Sequence, residues 1–114
     1  MDSCIFCRIA AGEIPAKKVL ETDEIVAFHD VSPQAPKHVL VIPRRHIGRL
    51  ADVRPEDEGL MGRLLLAATD AARAAGMEHD GYRLVINNGE RAGQSVFHIH
   101  LHLLSGRDFQ WPPG

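Results

Sequence analysis

The run Phe97-His98-Ile99-His100-Leu101-His102-Leu103-Leu104 alternates imidazole with aliphatic side chains. On a strand, successive side chains point to opposite faces. His98, His100 and His102 would then share one face, and Ile99, Leu101 and Leu103 the other. Imidazole titrates near neutral pH, ligates metals through a neutral ring nitrogen, and can present a nucleophilic lone pair. Three on one face mark a site, and the alternation alone leaves catalysis and metal binding both open. Cys4 and Cys7, spaced C-x-x-C, are a second group able to do chemistry. In a reducing compartment a stable disulfide between them is disfavoured, which leaves metal binding or plain burial. A thioredoxin-like redox role would want this motif after a strand in a βαβ unit.

These residues need elements to hold them. Cys4 to Ala11 reads as a short helix ended by Gly12, with Asp2 or Ser3 as its cap. Val19-Leu20-Glu21 and Ile25-Val26-Ala27-Phe28 flank the polar turn Thr22-Asp23-Glu24 and suggest a hairpin. Pro33 and Pro36 force a non-helical loop, after which Val39 to Ile42 is a strand-forming apolar run stopped by Pro43. Pro55 opens a long helix, with Glu56, Asp57 and Glu58 at its positive end. Leu60, Leu64, Ala67, Ala68 and Ala71 recur at helical spacing, and Gly76 stops it. Tyr82 to Asn87 is a further strand, Gly89 to Gly93 a loop, and the histidine run the last strand. The sum is an α+β domain of about five mostly antiparallel strands and two helices, a single domain over residues 1–114.

Composition excludes several classes. A chain of 114 residues is long enough to bury its own core. A formal charge of -2 argues against a nucleic-acid binder, which would carry a basic face. Nothing approaches the length of an apolar membrane span, and no signal peptide is apparent. The expected location is therefore the cytoplasm, with no membrane and no nucleic-acid partner.

The segments around the histidines are as distinctive as the run itself. Gly93-Gln94-Ser95 leads into it, and Asn87-Asn88-Gly89 precedes that. Upstream stands Phe28-His29-Asp30-Val31-Ser32-Pro33-Gln34-Ala35-Pro36-Lys37-His38, and the chain ends Trp111-Pro112-Pro113-Gly114. Together these resemble the histidine triad family, and within it the Hint branch of nucleoside phosphoramidases, over nearly the whole chain. The resemblance implies the histidine triad fold and a homodimer whose sheets join into one. It implies hydrolysis of the P–N bond of purine nucleoside 5'-monophosphoramidates, of adenosine or guanosine, through a nucleotidyl-histidine. His100 would be the nucleophile, flanked by His98 and His102. His102 would contact the phosphate, Ser95 would donate to the leaving amine, and His38 would support the network. Asp30 would accept from the ribose hydroxyls. Val31, Phe6, Phe28 and Leu40 would form the apolar slot for the base. Asn87, Gly93, Gln94 and Ser95 would supply donors near the phosphate. For Phe6, Phe28 and Leu40, residue type alone favours ordinary core.

Catalysis of this kind would need no cofactor. Cys4 and Cys7 sit one helical turn apart, and two more ligands would complete a tetrahedral Cys₂His₂ zinc site. In bacterial proteins resembling this chain, residues at the positions of Cys4, Cys7, His46 and His98 hold zinc. Such an ion would be structural. Two other readings stand beside the phosphoramidase. One is a dinucleoside polyphosphate hydrolase of the Fhit type, disfavoured because Leu103 and Leu104 stand where that branch places another histidine. The other is a nucleotide- or partner-binding module with little turnover. His79 matches no motif and is expected in an exposed loop.

Overall fold

The computed structural model describes residues 3–114. Its frame is a five-stranded antiparallel sheet: β1 (Lys18–Glu21), β2 (Ile25–His29), β3 (Lys37–Pro43), β4 (Arg83–Val85) and β5 (Leu101–Ser105). The spatial order is β1-β2-β3-β5-β4, so the histidine-bearing strand lies beside the central β3. The sheet is covered on both faces, which is why β2 and β3 read as unbroken apolar runs. Helix α1 (Ile5–Ala10) lies on one face and α2 (Glu58–Ala74) on the other.

Alternation sorts the side chains between the two faces. Ile25, Ala27, Val39, Val41, Leu101 and Leu103 pack with Leu64, Ala67, Ala68, Ala71 and Ala72 of α2. The alanines let that helix come close to the sheet. Val26, Phe28, Leu40 and Ile42 face the other way, against Phe6, Ile9 and Ala10 of α1. Register places Leu40 opposite His102 and Phe28 opposite Leu40. The α1 face therefore grades from an apolar floor into imidazole. Arg44, just past β3, anchors α1 by donating to the Ala10 carbonyl at 2.6 Å while bonding Glu21 at 2.8 Å.

Several boundaries differ from the sequence reading. The cap of α1 is Cys4, whose sulfur accepts from the Cys7 N–H at 3.4 Å. It is not Ser3, and Asp2 lies outside the described residues. Pro55 opens a separate 3₁₀ turn, Pro55–Asp57, before the α-helix begins. In that turn the Asp57 carboxylate accepts from the Arg54 N–H at 3.0 Å. Gly76 does end α2, with φ of +75°.

The largest difference concerns the histidine run: only His102 lies within a strand, because pairing starts at Leu101. Pro43 has no N–H to offer a longer ladder, and its carbonyl accepts from the His98 ring at 2.7 Å. The Ile99 N–H turns instead to the Ile47 carbonyl, also at 2.7 Å. The division of side chains survives this break. Ile99 is buried with Ile47 and Leu60, while the rings of His98 and His100 both meet Phe6 on the α1 side.

Candidate active site and metal centre

An open cleft of about 1110 Å³ lies along the α1 face, bounded by Phe6, Phe28, Leu40, Asp30, Val31, Ser95, His100 and His102. Small-molecule sites are typically ~300–1,000 Å³, so it has room for a nucleotide and an attached group. Its apolar walls come from α1 and from the outward-facing residues of β2 and β3. Its polar end is imidazole and carboxylate.

Each imidazole is held by a partner that settles which nitrogen carries the proton. A carbonyl only accepts. The His100 Nδ1 lies 2.8 Å from the His98 carbonyl, so Nδ1 carries a proton, and in the neutral ring it is Nε2 that keeps the lone pair. His100 is 6 % exposed, and its exposed part lines the cleft. His38 is held in the opposite sense. A backbone N–H, that of Gln34, donates to its Nδ1 at 3.0 Å. The proton of neutral His38 is therefore on Nε2, which lies 2.9 Å from His102 Nδ1 and 3.4 Å from Asp30 Oδ2. His102 Nδ1 must then accept, which leaves its own proton on Nε2. One backbone N–H sets two rings in series. Burial pushes His102 down to about 4, and the neighbouring His100 and His38 add to this against the opposing Asp30. Burial likewise lowers His38, again opposed by Asp30. Both are neutral at pH 7, and His102 is a neutral hydrogen-bond donor.

Asp30 is tied down on both oxygens. Oδ1 accepts from the Ser32 N–H at 2.8 Å, and Oδ2 faces His38. Carboxylate oxygens have lone pairs to spare, so the group can still accept from a ligand hydroxyl.

The second cluster lies behind the triad. Ligand-type atoms of Cys4, Cys7, His46 and His98 fall within 4.8 Å of one another. His98 Nδ1 is 3.4 Å from Cys4 Sγ and 3.5 Å from Cys7 Sγ, and His46 Nδ1 is 3.3 Å from Cys7 Sγ. His98 Nε2 donates to Pro43, so Nδ1 presents its lone pair to the sulfurs. That is the outer-sphere arrangement typical of a metal-ligating histidine. Burial, then the adjacent Cys4 thiol, push the Cys7 thiol up, so a cation entering here would have to displace a proton. The donor set suits a tetrahedral zinc ion.

Not every expected residue reaches the cleft. Asn87, Gly93 and Gln94 are not among the residues lining it. Gln94 is 2 % exposed, and its amide is fully engaged: Nε2 donates to the Gly48 and Val96 carbonyls, and Oε1 accepts from the Gly89 N–H. It braces the loop before the triad and has no side-chain donor left for a phosphate. His38 sits one shell back, behind His102. His79 is exposed, its side chain at 94 %. The sequence reading passed over Ile5, Ile9, Lys17, His29, Ser32 and Val96, all of which line the cleft. Ile5 and Ile9, one helical turn apart beside Phe6, carried a readable signal. The backbone groups of Gln34, Pro43 and His98 carried none.

Residues 11–109 match the HIT domain. An uncharacterized HIT-like protein of Synechocystis is 52% identical over 113 residues, covering 99% of this chain and 98% of that one. The crystal structure of a HIT family hydrolase from Legionella pneumophila superposes with a TM-score of 0.94 at 51% identity, covering 98% of this chain and 100% of the other. A histidine triad nucleotide-binding protein from Candida albicans superposes with a TM-score of 0.83 at 31% identity, over 98% of this chain and 85% of its own. With agreement in sequence and in fold along nearly its full length, the chain belongs to the HIT family.

Proposed function

We propose that this protein is a nucleotide hydrolase acting on purine nucleoside 5'-monophosphoramidates. The observation that carries the reading is the hydrogen bond from His100 Nδ1 to the His98 carbonyl, in a ring that lines an apolar cleft. In the neutral ring it makes Nε2 the nitrogen with the free lone pair, the tautomer in which imidazole attacks at that atom. The relatives' names, a hydrolase in one case and a nucleotide-binding protein in another, support the same class.

The residues would act as follows. The base lies in the slot of Phe6, Phe28, Leu40 and Val31, and Asp30 accepts from the ribose. His100 Nε2 attacks the α-phosphorus, the P–N bond breaks, and the amine departs with a proton from solvent, guided by Ser95. The nucleotidyl-imidazole carries a positive charge, which the His98 carbonyl stabilises through Nδ1–H. His102 donates Nε2–H to the phosphate without adding charge of its own. Water then attacks phosphorus, His100 leaves as neutral imidazole, and nucleoside monophosphate is released. An apolar slot offers few base-specific hydrogen bonds, so adenine and guanine are both accepted.

Cys4, Cys7, His46 and His98 would hold zinc, which supplies cross-linking of the fold. The protein would act as a homodimer. Supporting this, β4 is an edge strand of three residues, and its Leu84, with Leu65 and Leu66 on α2, is exposed. Among the described residues no helix is long and apolar enough to cross a membrane.

The test is turnover of adenosine phosphoramidate against diadenosine polyphosphate, with rapid quenching to trap an acid-labile adenylyl group on His100. Preference for the polyphosphate would favour the Fhit-type reading, and binding without turnover would favour a binding module.

A further inference from the structure

We infer that the Cys4–Cys7–His46–His98 cluster positions the nucleophile, through the peptide group that joins His98 to Ile99. This rests on reading His100 as the nucleophile and the cluster as a zinc centre, and goes beyond an ion that only cross-links the fold.

One peptide group carries the argument. Its carbonyl belongs to His98 and accepts the His100 Nδ1 proton at 2.8 Å. Its N–H belongs to Ile99 and donates to the Ile47 carbonyl at 2.7 Å. A peptide group is planar, so its orientation is fixed by what holds its two ends. At one end the His98 side chain is fully buried and reaches both cysteine sulfurs. At the other, Ile47 directly follows His46, whose Nδ1 lies 3.3 Å from Cys7 Sγ. Both ends of the group that aims His100 are therefore tied to the same four-residue cluster. Phe6, between Cys4 and Cys7 in sequence, adds a third tie: its ring meets His98 at 5.9 Å and His100 at 5.1 Å.

A metal closing on the four ligands would fix this peptide plane and hence the rotation of the His100 ring about its Nδ1–H bond. Loss of the ion would loosen both ends at once. Displacements of about 1 Å in a reacting group can cost about a hundredfold in rate. Most of the nucleotide slot is independent of the cluster, since Phe28, Asp30 and Leu40 are placed by β2 and β3. Metal occupancy should therefore set the rate of P–N attack and leave nucleotide affinity nearly unchanged. His98 is a positioning residue in this scheme.

The experiment compares zinc-loaded and chelator-stripped full-length protein. It reads zinc content, the ¹⁵N imidazole signals of His100 without substrate, the rapid-quench rate of adduct formation, and AMP affinity by calorimetry. Expected are a clear change in the His100 Nδ1–H signal, adduct formation slowed tenfold or more, and affinity within about threefold. Identical signals and rates in the two forms, or a protein that takes up no zinc, overturn the inference. A zinc-dependent His100 signal with no adduct in either form keeps the coupling and overturns the nucleophile assignment instead. Should stripping unfold the protein by circular dichroism, cadmium replaces it. Its longer bonds to thiolate shift the cluster while keeping it closed, and identical His100 signals in the zinc and cadmium forms again overturn the inference.

Discussion

Two clusters in this molecule gather metal-ligand types of side chain, and only one is suited to a metal. Cys4, Cys7, His46 and His98 gather ligand atoms within 4.8 Å, and so do Asp30, His38 and His102. The second is two histidines and a carboxylate, a respectable metal set. What separates them is the far side of each ring. His98 gives its Nε2 proton to the Pro43 carbonyl and turns a lone pair toward the sulfurs. His38 receives the Gln34 N–H on Nδ1, so the Nε2 facing Asp30 and His102 carries a proton and has no lone pair for an ion. A carbonyl behind an imidazole makes a ligand or a nucleophile. An amide N–H behind it makes a donor.

The contrast breaks or sharpens in four ways. The largest effect concerns His100, where a carbonyl sits behind the ring. His100→Asn should fold and bind AMP within a few-fold of wild type, yet lose turnover by as much as about a millionfold, as for a lost nucleophile elsewhere. Retention of more than about a hundredth of the wild-type rate in a phosphoramidase assay would remove the covalent role. Next is metal content. Tag-free protein should hold one zinc per chain by elemental analysis, Cys7→Ser should hold less than a tenth of that, and His38→Ala should hold as much as wild type. Zinc lost with His38 would mean that the wrong cluster has been chosen.

The third prediction is stability against pH. His102 has a folded value near 4 against an ordinary 6.5. Above 6.5 both folded and unfolded states are neutral, and the group contributes nothing. As pH falls from 6.5 toward 4 the unfolded chain takes up the proton first, so stability drops, by about 3 kcal/mol at most from this ring. Buried His38 adds in the same direction. Denaturant titrations should show a decline in that window that His102→Gln reduces, and an equal slope in the variant would discount the burial of this ring. The smallest effect is the sharpest test of the comparison. Gln34→Pro removes the N–H that fixes the His38 tautomer and should create a weak second zinc site, visible by calorimetry. No second site in a folded Gln34→Pro protein would show that something other than the tautomer excludes the metal.

Much of this could be read in the residues. The α2 helix, the β2 and β3 runs and the sorting of Ile99, Leu101 and Leu103 from the histidines follow from periodicity. The triad and the C-x-x-C pair announced themselves by type. What could not be read was backbone chemistry. Pro43 ends the ladder and uses its carbonyl on His98, so the histidine run is only partly a strand. Gln94 looked like a donor and is spent on three backbone partners, Gly89 and Val96 in its own loop and Gly48 far off in sequence, and residue type does not reveal this. The tautomers rest on main-chain groups at Gln34, Pro43 and His98, which carry no residue signature at all.

Cys4 and His98 are 94 positions apart and touch. Closing a loop of that length is entropically costly for an open chain, though the cost grows only slowly with length. A metal bound there would remove that freedom from the unfolded ensemble, much as a covalent cross-link does. Its ligands also arrive in chain order at 4, 7, 46 and 98, so the site is completed only when the segment just before β5 reaches the Pro43 end of β3. Metal capture would thus report that the chain's two ends have met, and a chain stopped short of His98 would have three ligands and no fourth.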